Sequence, residues 1–362
     1  MTAETEDLAA LREAIRDVLS TQADRAAVRK FINSTAAMDA SLWAQGAELG
    51  WFGLNIPEDD GGLGLGVSAL LVLFEELGRA VAPLPVLGTV LAAEAIVHGG
   101  NAAQRAGFLP RLAAGQRPAV FALPGLNANL LLSEHHILSG DISLVIDAAT
   151  AQLAILPASG VGGDPVFCLL DLSQANVAVE PQKMADLTRQ AATITVSDLR
   201  IDPSAILPVD AAAMANFAGL LLSADALGAA QGVFELTVDY MKTREQFGKP
   251  IGSFQALKHR AAEHHIALVG ARALLAHTAT LWETRHPDAA FHTALCKAHI
   301  CEVALTVATD AVQLHGGIGF TWEHECHLFL KRIYLNNQLF GTTATFYDTA
   351  FDGLAESFSR AA

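Results

Sequence analysis

The sequence predicts an α+β chain in three parts: an N-terminal all-α domain over residues 1–117, a small central β domain over 118–208, and a C-terminal four-helix bundle over 209–362. Three observations carry this reading. Apolar residues recur at helical spacing through the first part. Short β-branched or aliphatic runs separated by turn residues begin after Pro118. From Asp210 onward long apolar helical runs resume, interrupted only by glycine- and proline-bearing elbows.

Leu8, Leu11, Ile15, Val18 and Leu19 mark an amphipathic opening helix. Ser41 is the expected N-cap of a second helix that stops at Gly50. Pro57 and the glycines of Ile56-Pro57-Glu58-Asp59-Asp60-Gly61-Gly62-Leu63-Gly64 force an irregular loop. Helices follow from Ser68 to near Gly78, Val86 to Val97 and Ala102 to Ala113. Strands are expected over Ala119–Leu123, Ile142–Ile146, Ala151–Leu156, Val166–Leu172, Val177–Val179 and Ala192–Val196. Asp202-Pro203 and Pro208 close the β region. The four long helices are expected over Asp210–Arg244, Ser253–Arg285, Asp288–Leu314 and Glu323 to the end, with Thr321 as N-cap of the last.

The 362 residues exceed one ordinary core, so two or three domains are expected. With 52% hydrophobic and 17% charged residues, burial is extensive. An acidic balance, 23 Lys+Arg against 38 Asp+Glu, argues against nonspecific nucleic-acid binding. The most apolar stretch, Phe217–Phe234, carries Asp225, so no membrane span is expected. Met1–Asp7 is acidic and unlike a signal segment, which suggests a cytoplasmic protein. Cys168, Cys296, Cys301 and Cys326 show no paired-ligand spacing and fit reduced core thiols. A mean hydropathy of +0.34 points to apolar surface buried between subunits.

Two stretches carry chemistry. Thr243-Arg244-Glu245-Gln246-Phe247-Gly248-Lys249-Pro250-Ile251-Gly252-Ser253-Phe254-Gln255 is a cationic elbow between two long helices. The Arg244 guanidinium can grip a phosphate or carboxylate with two parallel hydrogen bonds; alone, it reads more readily as a surface charge offsetting the helix dipole. About seventy residues later, Gln313-Leu314-His315-Gly316-Gly317-Ile318-Gly319-Phe320-Thr321 lets backbone N–H groups approach a ligand. The pair is far more specific than either half. With the Ile56–Gly64 loop and the helical–β–helical order, it resembles the acyl-CoA dehydrogenase family of flavoenzymes over most of the chain.

The resemblance implies FAD as cofactor and an acyl-CoA oxidised to its 2,3-enoyl form, with electron-transfer flavoprotein as acceptor. It implies that Arg244, Gln313, Gly316 and Gly317 contact FAD held mostly by a neighbouring subunit, with Phe247 beside the adenosine. The family's base is a Glu. In most members it lies in a Tyr-Glu-Gly-Thr stretch; here Leu339-Phe340-Gly341-Thr342 matches, so Phe340 replaces the Glu. In others it lies on the helix before the Arg motif, where Ala218 stands. Asp225, Glu235 and Asp239 share that helix and are expected to be solvated or capping. Ala122–Asn129 and the region from Ser139 to Ala158 lack the family's flavin-ring contacts.

The double loss suggests a non-catalytic β-type subunit of a heteromeric α2β2 enzyme, whose homologous catalytic partner supplies the Glu; bacterial steroid- and lipid-degrading enzymes include such assemblies. The alternatives are a self-sufficient homo-oligomer with a relocated carboxylate, and a non-catalytic scaffold. His259, His264 and His265, and separately His324, Cys326 and His327, lack standard ligand spacing, so no metal is expected.

Overall fold

A computed structural model describes residues 3–125 and 127–361. Leu126, within the Ala122–Asn129 segment, lies outside them, as do Met1, Thr2 and Ala362. In chain order the helices are α1 (Ala3–Gln22), α2 (Arg25–Ile32), α3 (Ala40–Glu48), α4 (Gly66–Arg79), α5 (Val86–Gly99) and α6 (Ala102–Ala113). Strands β1 (Ala119–Phe121), β2 (Leu131–Leu132), β3 (Ile137–Ile146), β4 (Leu153–Ser159), β5 (Pro165–Asp171), β6 (Val177–Gln182), β7 (Ala191–Arg200) and β8 (Ile206–Leu207) follow. Then come α7 (Ala211–Thr243), the hairpin β9 (Glu245–Gln246) and β10 (Lys249–Pro250), α8 (Gln255–Glu283), α9 (Ala289–His315), α10 (Cys326–Gln338) and α11 (Thr343–Ala361).

Four local expectations need correction. The N-cap of α3 is Asp39, whose carboxylate accepts from the Ser41 and Leu42 amides at 3.0 Å each. α2 is a short extra helix, capped by Asp24, whose carboxylate accepts from the Ala27 amide at 2.8 Å. The last long helix is two: Phe340 and Gly341 adopt left-handed φ values of 58° and 126° and break it. Thr321 caps nothing there, since its hydroxyl donates to Ile318 O at 3.0 Å and α10 begins only at Cys326.

The chain forms two compact units. One comprises Lys30–Gly66 and Pro83–Ala218. Its mixed sheet runs β6-β7-β3-β2-β4-β5-β8, with β1 added parallel to β4. Ile142, Ile194, Val196, Leu156, Leu170 and Cys168 are buried in its core. The Ile56–Gly64 loop is built on glycine: a Cβ at Gly62 would stand 2.1 Å from Ile56 O. Arg105 pairs with Asp60 to fasten that loop to α6.

The other unit comprises Met1–Arg29, Val67–Ala82 and Gly219–Ala362. Here the C-terminal part of α7 runs against α4 backbone to backbone. A Cβ at Gly78 would meet Asp225 O at 2.0 Å, one at Gly228 would meet Glu75 O at 1.8 Å, and one at Gly232 would meet Arg79 O at 2.4 Å. Among the described residues, α7 is long and apolar enough to cross a membrane, but 89% of its most apolar window is buried inside the protein. It is therefore a core helix, held by packing on all sides. All four cysteines are free and buried.

Gly228→Val should destabilise the protein by about 3 kcal/mol or more, at or above the usual cost of overpacking, because the obstacle is backbone rather than a movable side chain. Thermal or denaturant unfolding of the variant against the parent chain measures it.

Candidate functional site

The elbow after α7 is a tight hairpin. Glu245 and Gln246 pair antiparallel with Pro250 and Lys249, and the Ile251 amide closes onto Arg244 O at 2.8 Å. The two turn residues, Phe247 and Gly248, have φ of 53° and 77°. A two-residue hairpin with both central residues left-handed matches strand twist and normally recruits Asn-Gly or Asp-Gly. Phe in the first position is strained, and its ring is 92% exposed. Phe254 meets it edge-on at 6.1 Å, and Lys249 Nζ lies 4.5 Å from the Phe254 ring centre. Arg244 is exposed, and its guanidinium has no hydrogen bond or ion pair among the described residues.

The second stretch ends α9. Gly316 takes φ 64° and ψ −142°, a conformation that excludes side chains, and the chain runs through a 3₁₀ turn to Phe320. Nothing lies within 4 Å of a Cβ built at Gly316 or Gly317, so this turn presents open backbone. Gln313 is exposed one turn earlier and lines a cavity of about 720 Å³ with Arg260, His264, Asp310 and Phe320. In that cavity Asp310 is nearly buried and binds Arg260, and His264 Nε2 stands 2.7 Å from its other oxygen. His259 and His265 do not join it; the His265 ring lies 6.2 Å from Phe234.

The two stretches are brought together by a pair that sequence reading missed. Tyr240, one turn before Arg244, stacks on His315 with ring centres 4.4 Å apart. Its hydroxyl is 3.5 Å from His315 O. His315 is 3% exposed, and burial lowers its imidazole pKa despite a hydrogen bond to Ala311 O. The available signal was spacing: Tyr240 lies on the helix face four residues before the Arg, and His315 immediately precedes the glycines.

Neither expected base position holds a proton-accepting group. Ala218 is fully buried. Phe340 is half-buried at the α10–α11 break, where a Cβ at Gly341 would meet the Phe346 ring at 2.8 Å. The carboxylates upstream are engaged. Asp225 was expected to be solvated or capping, but it is 1% exposed and receives Arg332 Nε and Nη2 at 2.9 Å each, plus Asn336 Nδ2 at 2.5 Å. Glu235 binds Arg79 at 2.5 Å and accepts from Gln231 at 3.0 Å. Asp239 is exposed and pairs with Lys242.

The arginine hairpin after α7 and the open glycine turn after α9 thus both lie in the helical unit, while the other unit carries the mixed sheet. The acyl-CoA dehydrogenase N-terminal domain matches residues 5–116, and the acyl-CoA dehydrogenase C-terminal domain matches residues 211–350. The chain is 34% identical over 334 residues to acyl-CoA dehydrogenase IpdE2 of Mycobacterium tuberculosis, covering 91% of both proteins. It therefore belongs to the acyl-CoA dehydrogenase family. Among solved structures it is similar to a steroid acyl-CoA dehydrogenase variant, Tcur3481-Tcur3483, with a TM-score of 0.89 and 29% identity over 99% of this chain and 100% of that one. The fold also matches the ChsE4-ChsE5 complex of Mycobacterium tuberculosis, with a TM-score of 0.89 and 24% identity over 98% of each chain.

Asp225→Ala should destabilise the protein by roughly 3–5 kcal/mol, because it leaves the buried Arg332 guanidinium uncompensated. A double-mutant cycle with Arg332→Met checks this: the pair should lose less than the sum of the single changes.

Proposed function

We propose that this chain is the non-catalytic subunit of a heteromeric acyl-CoA dehydrogenase, contributing Arg244, Phe247, Gln313, Gly316 and Gly317 to an FAD site completed by a homologous catalytic subunit. The observation that carries the reading is Phe340: an aromatic ring occupies the family's base position, while the phosphate-gripping half of the site stays exposed. Solved structures of the same fold hold FAD or FADH2. The residues present fit that cofactor. The unpaired Arg244 fork suits a pyrophosphate, and the turn at Gly316 and Gly317 has no Cβ to block backbone N–H donors.

Bound FAD supplies the hydride acceptor for α,β-dehydrogenation of the thioester. This chain's residues orient and retain it: Arg244 as a two-pronged anchor, the exposed Phe247 ring as a stacking surface, and Gln313 as a polar contact. The proton at the acyl α-carbon is taken by the partner's carboxylate, since Phe340 and Ala218 cannot accept one. The likeness to steroid enzymes supports a bulky steroid-derived acyl group, and electron-transfer flavoprotein is the acceptor this reading assigns.

Expressed alone, the protein should lack stoichiometric FAD and dehydrogenase activity; with its homologous partner it should be yellow and active. A lone chain that is yellow and turns over an acyl-CoA would instead support the self-sufficient reading. In the assembled complex, Arg244→Ala should weaken FAD retention while leaving the subunit folded, and Arg244→Lys should restore it only in part, since a point charge cannot reproduce the fork. Full flavin occupancy in both variants at low FAD would remove Arg244 from the site.

Phe340→Glu in the lone chain should lower thermal stability without creating turnover, because a half-buried carboxylate gains no thioester or flavin partner. Enoyl-CoA formation by that variant, followed in a dye-reduction assay, would overturn the degenerate-site reading.

A further inference from the structure

Three side chains with metal-ligating donors converge behind the glycine turn. They are His315 at the end of α9, and His324 and Cys326 at the entry to α10. Their donor atoms lie within 4.8 Å of one another. We propose that His315, His324 and Cys326 form a binding site for a zinc-like divalent cation, tying the end of α9 to the start of α10. The grouping differs from the sequence expectation. His327 bonds to Trp322 O at 3.1 Å and stacks on that indole, and His315, from the preceding helix, takes its place.

Two independent features support the site. The first is an unmatched imidazole. His315 Nδ1 lies 2.8 Å from Ala311 O, and a carbonyl only accepts, so Nδ1 carries the proton and Nε2 keeps its lone pair. That Nε2 is buried without a hydrogen-bond partner, an arrangement that carries a desolvation cost with no return. A histidine whose Nδ1–H is held by a backbone carbonyl has the tautomer that metal-bound histidines use, with Nε2 facing the ion.

The second feature is the sulfur. Cys326 is fully buried, with Sγ 3.3 Å from His315 Nδ1, and the His315 and His324 rings are 4.4 Å apart. His324 is half-buried, and its Nδ1 makes only a long contact, 3.3 Å, with the Cys326 amide. Two imidazoles and one thiolate suit zinc and exclude the oxygen-seeking cations calcium and magnesium.

The test uses the full-length chain, stripped with a chelator and titrated with zinc against a chromophoric competitor, and separately with cobalt(II) as a spectroscopic probe. The proposal expects one zinc per chain and a thiolate-to-cobalt charge-transfer band. Cys326→Ser should abolish that band, and His324→Ala should weaken zinc binding by more than about 100-fold, beyond the loss typical of outer-shell partners. Because Cys326 is fully buried, the band in the unsubstituted chain and the half-buried His324→Ala variant carry the test if Cys326→Ser fails to fold. A chain with no charge-transfer band, or zinc uptake equal in parent and His324→Ala protein, would overturn the proposal. Neither readout depends on flavin, so failure here is distinguishable from failure of the cofactor assignment.

Discussion

Much of the helical unit follows from one constraint: α4 and α7 touch through backbone, with Gly78, Gly228 and Gly232 leaving no side chain between them. Such an approach brings the polar residues of α4 inward with its apolar ones. Glu75 and Glu76 are 4% and 1% exposed. Buried carboxylates persist only when paired, and the pairs recruit other helices. Arg12 and Arg16 of α1 reach Glu75 and Glu76 at 2.7–2.8 Å, and Arg272 of α8 reaches Glu75 at 2.7 Å. Burial works to raise the Glu76 carboxyl, but Arg16 and Arg12 outweigh it and hold it below its ordinary value.

The same logic governs the far side of α7. Asp225 binds Arg332 and Asn336, and Lys297, fully buried, donates to Asn336 O. Burial lowers the Lys297 ammonium pKa. These charges anchor the last turn of α10 just before the Phe340–Gly341 break. A network of this kind adds little net stability against an apolar core of equal volume. Its effect is positional: it fixes where α10 stops and where the Leu339–Thr342 stretch emerges.

Position also explains how two motifs about seventy residues apart act as one surface. The Tyr240–His315 stack joins the helix end that presents Arg244 to the helix end that presents the glycine turn. Each motif alone reads as an ordinary helix terminus. Joined, they place a cationic fork and open backbone on neighbouring helix ends.

By itself the sequence determined the order helical, β, helical, because hydrophobic periodicity and turn residues are local properties. α6 matches its expected span, Ala102–Ala113, residue for residue, since a capping box at Asn101 and Gln104 marks its start. It also placed the arginine hairpin and the glycine turn at helix ends, because Gly248, Pro250, Gly316 and Gly317 interrupt the helical pattern. The break at Phe340 was not legible: a left-handed Phe has no local signature, and only packing around Gly341 and Phe346 imposes it. Nor was the burial of Asp225. A carboxylate on an apolar helix reads as solvated until the helix that carries Arg332 is placed against it. Tertiary structure decided these points because charge pairing and backbone contact join residues far apart in the chain, and no window of sequence contains both partners.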